Sequence, residues 1–253
     1  MNTENSYQAL CHKLKNIADG YRTIGHSELG FPIYMFIKKG RKNNGKTLAV
    51  FATTHAREHI TTDLTAKLFA DYTGNATVHY VPAINPDGLL LARGELAGLL
   101  PQPLWKSNIR GVDLNTNFDI GFGEGASNVT TAGAENYIGP YPFSEKETQA
   151  IRGMLTRKRY DAVLSYHSLG EEIYYGFRDN KLGKELAERL GKLLNYTVKE
   201  TPESAGGLKD YCVSLGVPAV TIEVGKSQFG HPYPQSGLPT LQFIHKNSWE
   251  QIF

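Results

Sequence analysis

Three polar islands interrupt apolar stretches of this 253-residue chain, and each carries a side chain able to bind a metal or move a proton. The first is THAREH, residues 54 to 59, directly after the apolar run TLAVFAT. A polar cluster at the C-terminal end of a strand in an open α/β sheet is where ligands tend to sit. If the chain turns helical after His55, Glu58 three residues on lies on the same face, and the two side chains can share one metal ion. Zinc accepts an imidazole and a carboxylate, and a catalytic site needs one more protein ligand with a fourth position left for water. An HxxE spacing alone is a weak signal, because a solvated helix N-terminus satisfies it equally. The second island is SYHS, where His167 closes an apolar strand, and the third is TIEVG, where Glu223 lies inside one. A lone histidine there is more often a hydrogen-bonded core residue than a ligand, and a carboxylate there must be paired, hydrogen-bonded or kept protonated. Their joint occurrence carries the argument for a metal with a general base. His59 is set aside, since the zincin pattern HExxH puts glutamate directly after the first histidine.

The elements that must position these groups alternate. Tyr7, Leu10, Leu14 and Ile17 recur at helical spacing and predict a helix over 6–18. Strands are expected at 31–37 and 47–53, a helix at 60–72 and a strand at 78–84, the order of a crossover unit in a mainly parallel sheet. Residues 94–143, rich in Gly, Pro, Asn and Thr, read as a long loop of the kind that often walls a cleft. Ser144 with Glu147 has the form of a capping box that starts a helix to about residue 157. A strand at 161–167, helices at 180–194 and 208–215, a strand at 218–224 and a helix at 239–253 complete the reading. No repeat or linker marks a second domain, so residues 1–253 are expected to form one.

Composition excludes several classes. The 27 basic and 25 acidic residues give a formal net charge of +2 with no block of like charge, which leaves nucleic acid without support as a partner. No run approaches the roughly 18–20 apolar residues needed to cross a bilayer. The opening residues lack a basic patch followed by an apolar run, and Cys11 and Cys212 read as buried thiols in a reducing compartment. The expected location is the cytoplasm; the oligomeric state is left open.

These motifs together resemble the zinc metallocarboxypeptidases related to pancreatic carboxypeptidase. HARE, NPDG at 85–88, GVDLN at 111–115, the His167-Ser168 pair, GGLKD at 206–210 and TIEVG around Glu223 follow one another in the family's order over nearly the whole chain. The resemblance implies a twisted mixed sheet with helices on both faces. It implies one zinc ion per chain on His55, Glu58 and His167, with Glu223 as general base and Asp113 as the carboxylate that orients a ligating histidine. The family's oxyanion-binding arginine after tryptophan corresponds to Lys106, with Arg110 close by as an alternative.

Departures from the family bear on substrate. The asparagine-arginine pair that clamps a terminal α-carboxylate is here Asn115-Thr116, which argues against a generic exopeptidase. The family tyrosine ahead of the GG motif falls on Pro202, and the position that sets side-chain preference is Lys209, suited to an anionic group. WKSNIRGVDLN, YPFSEKET, SYHSLGEEIYY and GGLKDYC are similar to the bacterial branch that cuts γ-D-glutamyl bonds to meso-diaminopimelate in murein peptides. Three alternatives stay open. One is an ordinary carboxypeptidase using Arg57, Lys106 or Arg110 as carboxylate clamp; another is an N-acyl amino acid deacylase; the last is a binding protein without turnover.

Overall fold

The structure, a computed structural model, describes residues 4–253. Helix α1 (Ser6–Ile17) is capped by Asn5, whose side chain accepts from the Gln8 backbone N–H while the Gln8 side chain accepts from that of Asn5. This box satisfies two donors that the first helical turn leaves unpaired. Then come β1 (Gly20–His26), β2 (Pro32–Lys38), β3 (Thr47–Phe51), α2 (Ile60–Asp71), β4 (Thr77–Val81) and α3 (Pro86–Ala92). A long irregular stretch leads to α4 (Lys146–Arg157), β5 (Ala162–Ser168), β6 (Glu172–Tyr175), α5 (Lys184–Leu194), β7 (Thr197–Glu200), α6 (Leu208–Ser214), β8 (Ala219–Val224) and α7 (Leu238–His245).

All eight strands join one sheet in the order β1-β2-β4-β3-β5-β8-β6-β7. β4, β3, β5 and β8 are mutually parallel, and β2 and β6 flank them antiparallel. Along the central strands alternate side chains enter two cores. Leu48, Val50, Leu164, Val220 and Ile222 pack with residues of α1, α2, α5 and α7, whereas Ala49, Phe51, Val163 and Ala219 pack with those of α4 and α6. Strands covered on both faces need apolar residues at every position, which is why TLAVF and AVLSY read as continuous apolar runs. Among the described residues no helix is long and apolar enough to cross a membrane.

Several expectations need correction. β1 escapes the sequence pattern because GYRTIGH is a half-exposed edge strand with a polar middle, and β6 and β7 are only four residues each. The NPDG segment, to which no element was assigned from the sequence, opens a helix, because Asn85 caps α3 through the Gly88 N–H and Pro86 sits at its start, where a missing donor costs nothing. Ser144 is no cap for α4; Glu145 occupies that place, and the Ser144 hydroxyl donates to the Glu145 carboxylate at 2.7 Å. The Asn180 side chain accepts from Leu182 N–H in a local turn, so α5 starts at Lys184. The C-terminal helix stops at His245, followed by a separate short turn at Trp249–Gln251.

Candidate active site

β3 delivers His55 by an abrupt turn. Thr53, a β-branched residue at φ +43, would not adopt that left-handed backbone unaided. Its N–H and hydroxyl are held by the Thr61 and Thr62 hydroxyls at 2.6–3.1 Å. Ala56–Glu58 then form one turn of 3₁₀ helix, in which side chains three apart eclipse, so His55 and Glu58 point the same way. β5 brings His167. The chain leaves β3 to form β4 on one side and returns as β5 on the other, so His55 and His167 meet in the crevice where the strand order switches.

His55 Nδ1 lies 2.8 Å from Glu58 Oε1, His167 Nδ1 lies 3.0 Å from Glu58 Oε2, and the two Nδ1 atoms are 3.3 Å apart. All three residues are buried. Donors around a tetrahedral zinc at about 2.0–2.1 Å are themselves roughly 3.3 Å apart, so the three atoms already have the spacing of such a site. Two ring nitrogens facing each other need a shared proton or a cation between them, and a metal ion supplies the latter. Behind the cluster, His55 Nε2 meets Asp113 Oδ1 at 3.1 Å and His167 Nε2 meets Ser165 Oγ at 3.1 Å, contacts that fix which nitrogen faces inward. Burial works against a charge on His55, but Glu58 and Asp113 more than offset it and raise its pKa to about 9. Burial likewise opposes charge on Glu58 and Asp113, yet the neighbouring histidines, and for Asp113 also Lys106, hold both carboxylates below their usual range.

Glu223 reaches the cluster through strand register. It pairs with His167 across β5 and β8, and with Glu172 across β8 and β6, so the three side chains share one face. Burial and the nearby Glu58 carboxylate push its pKa well up, which strengthens it as a proton acceptor. Lys106 Nζ bonds Asp113 Oδ2 at 2.6 Å and Asn136 Oδ1 at 2.6 Å, which leaves one of its three N–H groups for a ligand. Asn85 ties the two flanking loops together, donating to Thr54 O and Ser107 O, and Ala56 N–H adds a bond to Lys106 O. Asn108 buttresses the same loop, donating to Glu145 and accepting from the Arg110 and Val112 N–H groups.

The description zinc carboxypeptidase belongs to the family model that matches residues 7–243. The chain belongs to the zinc carboxypeptidase family. It is a zinc metallopeptidase by that membership. It is 27% identical to gamma-D-glutamyl-L-diamino acid endopeptidase 1 of Lysinibacillus sphaericus, over 93% of this chain and 68% of that protein. It is 29% identical to murein peptide amidase A of Escherichia coli (strain K12), over 81% of each. In fold it matches bovine thrombin-activatable fibrinolysis inhibitor, solved in complex with tick carboxypeptidase inhibitor, with a TM-score of 0.80 at 19% identity over 99% of this chain and 96% of that one.

A cleft of about 420 Å³ opens beside the cluster, and Lys106, Asn115, Thr116, Lys209 and Glu223 line it. Asn115 faces Leu208 N–H, whose bond to Asn115 Oδ1 is 3.1 Å, and the Thr116 hydroxyl turns back to Asp113 O. Lys209 differs from expectation. Its ammonium bonds Asp210 Oδ1 at 2.5 Å, Ser204 Oγ at 2.9 Å and the Gly176 carbonyl, so all three donors are spent inside the protein. An anion entering the cleft would compete with Asp210 for it. Arg110 is not brought to the cleft, because it turns towards the carboxylates of Glu28 and Glu145, 3.9 and 3.7 Å away. Arg57 also lies off the cleft lining and pairs with Glu135 at 3.1 Å. His59 remains apart, and burial and Arg93 lower its pKa to about 4. Ser165, Glu172 and Tyr174 were not singled out in the sequence, although all three lie in the SYHSLGEEIYY motif; the period-2 alternation that places them on the Glu223 face was the signal that could have found them.

Proposed function

We propose that residues 1–253 act as one zinc peptidase domain that hydrolyses the amide between γ-D-glutamate and meso-diaminopimelate in murein peptides, in the cytoplasm. The carrying observation is the convergence of His55, Glu58 and His167 beside Glu223, at a cleft whose lining includes no arginine. A family carboxypeptidase acting on α-peptide tails would need such a clamp, and Thr116 with Asn115 offers none. The endopeptidase and amidase named above supply the γ-glutamyl and murein chemistry by similarity. Two unpaired buried cysteines, Cys11 and Cys212, agree with a reducing compartment.

Zinc held by His55, Glu58 and His167 supplies polarisation of the scissile carbonyl and a lower pKa for the attacking water. Glu223 accepts the proton of that water and returns it to the departing nitrogen, a role suited to a carboxyl whose proton affinity is raised by burial and by Glu58. Lys106 turns its remaining N–H to the oxygen on which negative charge develops, while Asp113 keeps both Lys106 and His55 in position. Asn115 and Thr116 shape the wall against which the leaving residue rests.

The test is incubation of the zinc-loaded protein with L-Ala-γ-D-Glu-meso-diaminopimelate beside unmodified α-peptides, with and without a chelator, products being read by mass spectrometry. Chelator-sensitive release of diaminopimelate alone is expected. Release of C-terminal residues from α-peptides at comparable rates would refute the substrate assignment.

A further inference from the structure

The sheet face that carries Glu223 holds two adjoining cross-strand rows of polar side chains. One runs His167, Glu223, Glu172, Thr197 across β5, β8, β6 and β7; the other runs Ser165, Thr221, Tyr174, Lys199. Tyr174, Thr221 and Glu223 line the cleft, and Glu172 and Lys199 do not. The Tyr174 hydroxyl donates to Glu172 Oε2, and Lys199 Nζ bonds the other oxygen of that carboxylate. Lys199 therefore balances Glu172 from the β7 side, away from the cleft.

A tyrosine hydroxyl has one proton to give. With that proton committed to Glu172, the Tyr174 oxygen can only accept, and the partner it suits in the cleft is a hydrogen-bond donor. The charges around it favour a cationic donor. Lys106 is paired with Asp113 and Lys209 with Asp210, so neither lining lysine is left uncompensated to repel a cation, and the lining carboxylate of Glu203 has no ion-pair partner among the described residues. The cleft thus offers a polarised acceptor beside lysines that are already neutralised and one unpaired carboxylate.

We propose that Tyr174, held by Glu172 and Lys199, is a specificity-determining residue that accepts a hydrogen bond from an ammonium on the side chain of the leaving amino acid. This rests on the γ-glutamyl peptidase reading above and deepens it. Recognition falls on the ammonium end of a diamino acid, where Lys209, consumed by Asp210 and Ser204, would have pointed to the carboxylate.

The experiment compares three tripeptides of the form L-Ala-γ-D-Glu-X on wild-type, Tyr174→Phe and Glu172→Gln protein. X is meso-diaminopimelate, L-2-aminopimelate, which lacks only the side-chain ammonium, or L-lysine, which lacks only the side-chain carboxylate. A hydrogen bond to a charged group corresponds to roughly a 10- to 100-fold effect. Wild-type kcat/KM should fall on the order of tenfold or more for aminopimelate and by less for lysine. Tyr174→Phe, which keeps the ring, should process diaminopimelate and aminopimelate alike, and Glu172→Gln should weaken the discrimination. An equal loss on both substrates in Tyr174→Phe, or no wild-type preference for the ammonium, would overturn this inference and leave the peptidase reading standing. Cleavage of none of the three would overturn both.

Discussion

Zinc binding to this site should be tightly coupled to pH, and Asp113 should set the coupling. In the metal-free arrangement His55 titrates at about 9, because Glu58 and Asp113 more than offset the burial that opposes its charge. A metal ligand must be neutral, so binding displaces that proton. At pH 7 only about 1% of His55 is neutral, which lowers apparent affinity about 100-fold, or ~2.7 kcal/mol. Burial lowers the pKa of His167, so His55 is the histidine that holds its proton more tightly. Apparent zinc affinity should therefore rise about tenfold per pH unit between pH 6 and 8 and level off near 9. Asp113→Asn removes the carboxylate 3.1 Å from His55 Nε2 and has two opposed consequences. Loss of the orienting contact should weaken binding roughly 10- to 100-fold at pH 9.5. Loss of the charge lets His55 titrate lower, so the plateau should begin at lower pH and the deficit at pH 6 should be smaller. Competition with a chromophoric chelator across pH 6 to 9.5 measures both curves. A pH-independent affinity in the wild type, or an equal Asp113→Asn deficit at both ends, would refute the reasoning.

Glu223→Gln should bind zinc normally, as read by metal content after dialysis, and lose about 10²- to 10⁴-fold in kcat; near wild-type turnover would dismiss it as the base. Lys106→Met should cost about 10²- to 10³-fold in kcat with a smaller change in KM, whereas Arg110→Ala should stay within a few-fold, because Arg110 contacts Glu28 and Glu145. The reverse pattern in steady-state kinetics would reassign the oxyanion cation. Burial raises the Glu147 carboxyl to about 7, whereas in the unfolded chain it ionises near 4.5. Its charging in the fold is therefore disfavoured as pH climbs between those values, and Glu147→Gln should raise the melting temperature at pH 8 more than at pH 5. Equal shifts at the two pH values in thermal unfolding would rule this out.

How much could be read beforehand differs from residue to residue. His167 and Glu223 were legible because each stands in a largely apolar strand, and His55 because it follows one, whereas Glu58 was read from its spacing of three from His55 and from the resemblance. The central strands were legible as short, nearly continuous apolar runs, and the helices that cover them through a period of 3.6 in side-chain polarity. The edge strands β1 and β7 and the four-residue β6 beside β7 were not, because short or half-exposed strands share their composition with loops.

What tertiary structure alone decided was partnership. Nothing in the spacing of GGLKD tells that Lys209 spends its charge on its neighbour Asp210 and on Ser204, or that Arg110 turns to carboxylates contributed by residues 28 and 145. Strand order and register put Glu172 and Tyr174 beside Glu223, and only the folded chain sets them. The physical reason is range. The identity of a polar residue in an apolar run follows from local desolvation, whereas its hydrogen-bond partner is chosen among all groups within about 3 Å in space, most of them distant in the chain.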